Sequence, residues 1–448
     1  MEETNAPLSL GTEKIGKLLM EYAIPAIIAM TASSLYHITD SIFIGRGVGP
    51  LALSGLAITF PIMNLAAAFG SLVGVGASAV LSIRMGQKDY STANRILGNV
   101  FVMNLIMGIG FSIPMLLFLD PVLLFFGASM DTLPYAHDFM VIILAGNVVT
   151  HMYLGLNALL RSAGSPQKSM LATIYTVMIN IVLNPLFIFV FGWGIRGSAI
   201  ATIIAQVVIL AWQFRLFSNK DFFIHWKRGI YRLSRRIVLD SLSIGLAPFL
   251  MNAASCLIVI IINRQLLAHG GDLAVGAYGI VNRVAFLFVM IVIGLNQGMQ
   301  PIAGYNYGAM LHSRVREVLK KSIFFATLIM TVGFGVVELF PHAVASIFTD
   351  EHGLVDIAAS GLRWVFAVYP LIGFQMVSSA FFQSIGKANK SIILAMTRQM
   401  LFLVPILLIL PGYWGTTGVW ASMTISDSVS VVLAAFLMYN ELKTYKYG

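Results

Sequence analysis

Apolar residues run along this chain in twelve long stretches, each set off from the next by a short polar or basic break. They cover about 18–44, 51–82, 95–118, 135–160, 168–192, 197–218, 237–265, 273–305, 319–341, 356–383, 388–411 and 416–440. Each has room for the roughly 20 residues a helix needs to cross the hydrocarbon core of a bilayer. Backbone groups in lipid must bond within their own segment, and these runs are far too long for barrel strands. The pattern predicts an all-α integral membrane protein with twelve spans.

The chain also resembles itself. A shift of 222 residues lays Ala32-Ser33 on Ala254-Ser255, Gly49 on Gly271, Leu51-Ala52 on Leu273-Ala274, Gly76 on Gly298 and Gly86 on Gly308. The same shift matches Gly164 to Gly386 and Lys168-Ser169 to Lys390-Ser391, and after one deletion Gly194 falls on Gly415. Each half then holds six spans. Six is even, so both halves enter from the same side, as in a parallel repeat about an axis along the membrane normal. This predicts a six-helix lobe over 1–218, a basic linker over 219–236 lying along the membrane surface, and a second lobe over 237–448. Two lobes flanking a path is the plan of a transporter that works by rocking. Pro25 and Pro248, at nearly matching places, each remove a helix hydrogen bond and allow bending.

Composition agrees. A mean hydropathy of +0.86 and 58% hydrophobic residues exclude a soluble globular protein. The net charge of +9 is a topology signal and not a nucleic-acid footprint. Of 28 Lys and Arg, only Arg46, Arg196 and Arg264 fall near one end of the spans, and Arg283, Arg363 and Arg398 lie within them. The remainder crowd the tails and even-to-odd loops, which the positive-inside rule places in the cytoplasm with both termini. The N-terminal stretch lacks the basic, apolar and small-residue order of a cleaved signal. Cys256 has no partner cysteine in the chain and reads as a small apolar residue.

Against this background the polar residues inside spans stand out. Asp40 lies among Ile38, Ile42, Phe43 and Ile44. A carboxylate at the centre of a spanning helix costs roughly 2.5–3.5 kcal/mol, so such groups usually face an aqueous cavity or a partner. Tyr36 and His37, four and three residues earlier, share its helix face. Segment five carries Asn180 and Asn184 one turn apart, followed by Pro185, and segment six carries Thr202 and Gln206 one turn apart. With Asn157 of segment four, these are candidates to line one pocket in the first lobe. Plain interhelical hydrogen bonding is the alternative for each, and a structural acid near the headgroups is the alternative for Asp40. In the second lobe the repeat position of Asp40 is Ile262. The deep acid there is Asp427, for which Arg398 is the natural counter-charge, a structural ion pair.

Several chemistries drop out. GSPQKS at 164–169 lacks the spacing of a nucleotide-binding loop, and the scattered histidines offer no metal motif, so neither a cofactor nor a metal is expected. A membrane-embedded enzyme would need clustered acids or histidines near one interface, and none is seen. A flippase of lipid-linked sugars would call for a cationic groove, whereas interior Lys and Arg are few. The 23 methionines and 30 phenylalanines suit a pliable apolar pocket.

The stretches TDSIFIGRGVGPLALSGLAITFPI at 39–62, LLRSAGSPQKSM at 159–170, QPIAGYNYGA at 300–309, FFQSIGKANKS at 381–391 and GVWASMTISD at 418–427 resemble the MATE (multidrug and toxic compound extrusion) transporters. The likeness runs through essentially the whole chain. It implies an antiporter of the bacterial inner membrane, working as a monomer, that expels amphipathic and often cationic compounds as H⁺ or Na⁺ enters. It is most similar to the DinF-like branch, which places its coupling acid in the first lobe. The NorM-like branch uses acids of segments seven and ten, where this chain carries no interior acid: Asp240 is at the cytoplasmic end, and segment ten offers Gln375 and Gln383. By that resemblance Asp40, Asn180 and Thr202 match the family's cation or proton site, with Asn184 at its fourth position; Tyr36, His37, Asn157 and Gln206 are the candidates to line the substrate cavity beside it. Position 184 departs from the family: the second acid is an asparagine here. One carboxylate holds a desolvated Na⁺ less well than two, so H⁺ is the expected coupling ion, with Na⁺ open.

Overall fold

The computed structural model describes residues 9–444; residues 1–8 and 445–448, including Lys446 of the basic tail, lie outside them. It is built from helices around a two-lobed core. Numbering only the spanning helices, the first lobe holds α1 (Ile15–Gly47), α2 (Pro50–Gly86), α3 (Tyr90–Leu117), α4 (Leu133–Ala145 with Asn147–Ser162), α5 (Pro166–Pro185) and α6 (Gly194–Ser218). The second begins with Arg235–Gly308, one helical run broken at Gly271 into α7 (235–270) and α8 (272–308). It continues with α9 (His312–Leu339), α10 (His352–Phe366 with Tyr369–Ser384), α11 (Ala388–Ile409) and α12 (416–444). Twelve spans stand where the apolar stretches predicted them.

The backbone repeats as the sequence does. Gly49 and Gly271 both turn the chain at positive φ, as do Gly164 and Gly386, Gly194 and Gly415, and the non-glycine pair Lys88 and Met310. α4 is bent by 54° and α10 by 53°, at breaks again 222 residues apart. α5 and α11 each run into a π-helical turn, Leu186–Val190 and Thr397–Leu401.

The lobes meet at their basic ends, where the Lys- and Arg-rich loops lie. Glycine makes the meeting possible. A Cβ added to Gly86 would lie 2.0 Å from the Tyr305 carbonyl oxygen, and one on Gly308 would lie 2.1 Å from that of Ile83. Ile83 and Tyr305 are themselves repeat partners, so this is a two-fold contact between α2 and α8. Beside it α2 packs backbone to backbone on α7 through Gly76 and Gly245, and α8 packs on α1 through Gly298 against Ala23. Along α1 the contacts with α8 continue to Ile27 and to Met30, whose Sδ lies 3.6 Å from Gln297 Nε2. Beyond that level α1 turns to its own lobe, with Gly47 against Ile188 and Phe189. Likewise α2 touches α7 as far out as Pro61, then packs Gly55 on Tyr135 and Ala136 of α4. The face of α1 that meets α8 below carries half-buried Ser34 and Ser41 and exposed His37 above. That polar face, together with contacts between α1 and α8 that reach only to Met30, points to a cleft between the lobes that is closed at the basic end.

The linker differs from expectation. Instead of only lying on the surface, it docks into the first lobe. Phe223, Ile224 and Ile230 are buried. Asn99 of α3 donates to the carbonyls of Ile230 and Arg232 and accepts from Ser234 N at 2.8 Å. Asn94 accepts from His225 N. Arg228, Arg232, Arg235 and Arg236 stay exposed, as a basic rim would.

Candidate functional site

Asp40 is 6% exposed, in the half of α1 away from the basic end. Two donors converge on its Oδ1: Asn184 Nδ2 from α5 and Ser198 Oγ from α6. Asn180, one turn before Asn184, donates to Thr202 Oγ1 at 3.0 Å. Thr202 donates its own hydrogen to the Ser198 carbonyl at 3.1 Å, so the Tyr36 hydroxyl, 2.8 Å away, must be the donor to Thr202. α1, α5 and α6 are thus tied by one network whose only carboxylate is Asp40. The structure brings together Tyr36, Asp40, Asn180, Asn184 and Thr202 as the periodicity suggested. The period-four spacing puts Asn180 with Asn184, and Ser198 with Thr202, on facing stripes. One polar atom is left over: Asn184 Oδ1 is buried with no hydrogen-bond partner.

Ser198 was overlooked. It stands beside Gly197 at the start of its apolar run, where serine reads as a helix-start residue, yet it is fully buried, one turn from Thr202. That spacing was the available signal. Three other residues do not join the network. The His37 ring packs 5.0 Å from that of Tyr36 and faces the cleft. Gln206 accepts from Thr150 at 2.6 Å and ties α6 to α4. Asn157 donates to Thr173 at 3.1 Å, two turns along α5 from Asn180 toward the basic end. Gln206 and Asn157 therefore bind helices to one another, as polar side chains between spans commonly do. The methionine- and phenylalanine-rich surface appears elsewhere too. A cavity of about 480 Å³ lies against Phe69, Met107, Phe111, Met115 and Phe118, with Phe249 of α7 next to Phe69.

In the second lobe Arg398 Nε donates to Asp427 Oδ1 at 2.8 Å, and Ser426 donates to the Arg398 carbonyl. Removing one member of such a pair strands the other charge. Asp427→Asn is expected to lower stability by about 3 kcal/mol, and Arg398→Met with Asp427→Leu to recover most of it, measured by thermal unfolding in detergent. A stable Asp427→Asn that no longer transports would make the pair functional. Asp427 is not the lone deep acid of this lobe. Glu441 is 0% exposed and bonded to Lys387 and Lys390 at 2.5 and 2.7 Å. It sits in the charged run NELK near the chain end, which reads as a solvated tail. Among the described residues no group of three or more His, Cys, Asp or Glu is placed to hold a metal ion.

Two pseudosymmetric helical lobes, with the Asp40 carboxylate buried between three helices of the first, have the plan of a membrane transporter. The MatE family model matches residues 25–186 and again 238–409, and the chain belongs to that family. Its sequence is 27% identical, over 95% of this chain and 94% of the relative, to the multidrug export protein MepA of Staphylococcus haemolyticus. Its fold matches a crystal structure of MATE in the bent conformation with a TM-score of 0.93 at 26% identity, covering 98% of both chains. It also matches an outward-facing multidrug resistance MATE transporter with a TM-score of 0.91 at 26% identity, covering 98% of this chain and 99% of that one.

Proposed function

We propose that this protein is a proton-coupled antiporter that exports amphipathic, cationic small molecules, with Asp40 as the protonation site. The observation that carries the reading is the site itself: a lone carboxylate, cut off from lipid, held by donors from two other helices of the same lobe. α1 is the link to the rest of the molecule. Its outer part bears Asp40 on α5 and α6, while its inner part, on both sides of Pro25 out to Met30, packs on α8 of the opposite lobe. Deprotonated Asp40 accepts from Asn184 and Ser198 and favours a cation nearby. Protonation from outside removes the charge and gives the acid a hydrogen to place, for which Asn184 Oδ1 is the unpartnered acceptor. The network rearranges, α1 shifts on α8, the substrate leaves, and the protonated form returns inward. The basic ends and both termini are cytoplasmic in this reading, and the protein works as a monomer in the cell membrane of a bacterium, as in the DinF-like branch.

The same unpartnered oxygen favours a second reading, in which Na⁺ sits between Asp40, Asn180, Asn184 and Thr202. Efflux of a fluorescent cation from reconstituted liposomes separates them, with a pH gradient and a Na⁺ gradient imposed in turn. A pH gradient alone is expected to drive efflux. Asn184→Asp, which restores a second carboxylate, is expected to bring Na⁺ stimulation. Drive by Na⁺ alone in the unaltered protein overturns proton coupling, and drive by neither turns attention to a flippase.

A further inference from the structure

The repeat gives each lobe the same basic-end surface on its third helix, and the described residues cover only one of the two. On α3 the linker backbone runs over it: a Cβ on Gly98 would lie 2.3 Å from the Ile230 carbonyl oxygen, and Asn99 binds the carbonyls on either side. The repeat partners of Gly98 and Asn99 on α9 are Lys320 and Lys321. Residues 9–14, the described part of the segment before α1, do not cover them. They turn instead onto α8 and the start of α9, where Asn306 and Arg314 donate to the Leu10 carbonyl.

What remains at that seam is a notch of about 470 Å³ between α1 and α9, bounded by Gly16, Met20, Lys320, Lys321, Phe324 and Phe325. Gly16 opens it, since a Cβ there would come within 3.2 Å of Lys321 Nζ. Above the lysines both walls are apolar and exposed, with Met20, Ile24 and Ile28 on α1 and Phe324, Leu328 and Val332 on α9. The rim acids have lysine partners nearby: Glu13, just before α1, and Glu21 face Lys17, and Glu317 pairs with Lys321 at 2.7 Å, so that Lys321 is shared between this acid and the notch. Lys320 is exposed and makes no ion pair among the described residues.

A cationic rim over a two-walled apolar slot at the membrane surface fits one class of molecule. We propose that an anionic glycerophospholipid seats here, its phosphate on Lys320 and Lys321 and an acyl chain between the α1 and α9 stripes. It fills the second lobe's copy of the place that the linker fills in the first, and it ties together two helices that belong to different lobes.

Native mass spectrometry of the delipidated full chain, titrated with dioleoyl phosphatidylglycerol or dioleoyl phosphatidylcholine, tests this. One phosphatidylglycerol is expected to bind ahead of the rest and about tenfold tighter than phosphatidylcholine. At about 1 kcal/mol per lysine near a headgroup, Lys320→Gln with Lys321→Gln should weaken that first site roughly 30-fold. Gly16→Leu should abolish it by filling the slot, and Arg228→Gln on the exposed linker should leave it unchanged. Equal affinity for the two lipids in the unaltered protein overturns the proposal. So does a first site indifferent to Gly16→Leu, because attraction to the lysines would then be diffuse. The variants lie on the surface, and a monodisperse elution profile confirms that each is folded.

Discussion

Asp40→Asn is expected to reduce coupled efflux to the background of empty liposomes while the protein still inserts and unfolds at its usual temperature. The amide is nearly the size of the carboxylate, and its oxygen still accepts from Asn184 and Ser198, so the network that joins α1 to α5 and α6 persists. What is lost is the ability to gain and lose a proton. A state that cannot change its charge has no differential affinity for the ion that drives the cycle, and without that difference no population shifts. Ser198→Ala serves as the companion variant, because it removes one donor and leaves the acid. Substrate-driven proton release, followed by a pH dye in the vesicle lumen, reads the coupling directly. An Asp40→Asn protein that still exchanges substrate for protons would sink the assignment.

The second large effect is expected at the glycines of the basic end. Gly86→Val with Gly308→Val places a branched side chain on each side of the two-fold contact, where even a Cβ meets backbone at 2.0–2.1 Å. The clash is with carbonyls and not with the end of a flexible side chain, so α2 and α8 must separate. Overpacking of this kind costs about 1–3 kcal/mol, enough to move a two-state balance by about 5- to 150-fold. The closed basic end should open and transport should fall with it. Spin labels at the exposed repeat partners Ser91 and Ser313, in a Cys256→Ala background, report the distance. Gly110→Val and Gly335→Val are the controls, since nothing lies within 4 Å of a Cβ at either. An unchanged distance in the double variant would show that these glycines do not hold the lobes together.

The number of spans, their helical character and the repeat were legible because they depend on local quantities: run length, mean hydropathy and identities at a fixed offset. The Asp40 site was half legible. Spacing by four correctly put Asn180 and Asn184 on one stripe, but it cannot say which neighbouring helix that stripe faces. Gln206 and Thr202 share a stripe as well, and a small shift in level sends Gln206 to Thr150 of α4 and Thr202 to the network. Ser198 was hidden by its position next to a glycine at a helix start, and Glu441 by the basic residues around it. In both cases a residue type common at surfaces is buried by tertiary packing that no window of sequence contains. The docking of the linker was not legible for the same reason: its arginines advertise the membrane surface, while the asparagines that capture its backbone lie more than a hundred residues away.

The turns at the end away from the lysines carry one more consequence. Val48 and Gly49 alone join α1 to α2, Gly271 alone breaks α7 from α8, and a positive-φ glycine opens α6. Helices joined so tightly have no loop to thread through a bilayer after the fact. A turn this short lets α1 with α2, and α7 with α8, enter the membrane as one hairpin that carries almost no polar load across. A charged insertion of a few residues at Val48 or Gly271 should therefore be felt during biogenesis, as lost membrane yield, before it is felt in transport.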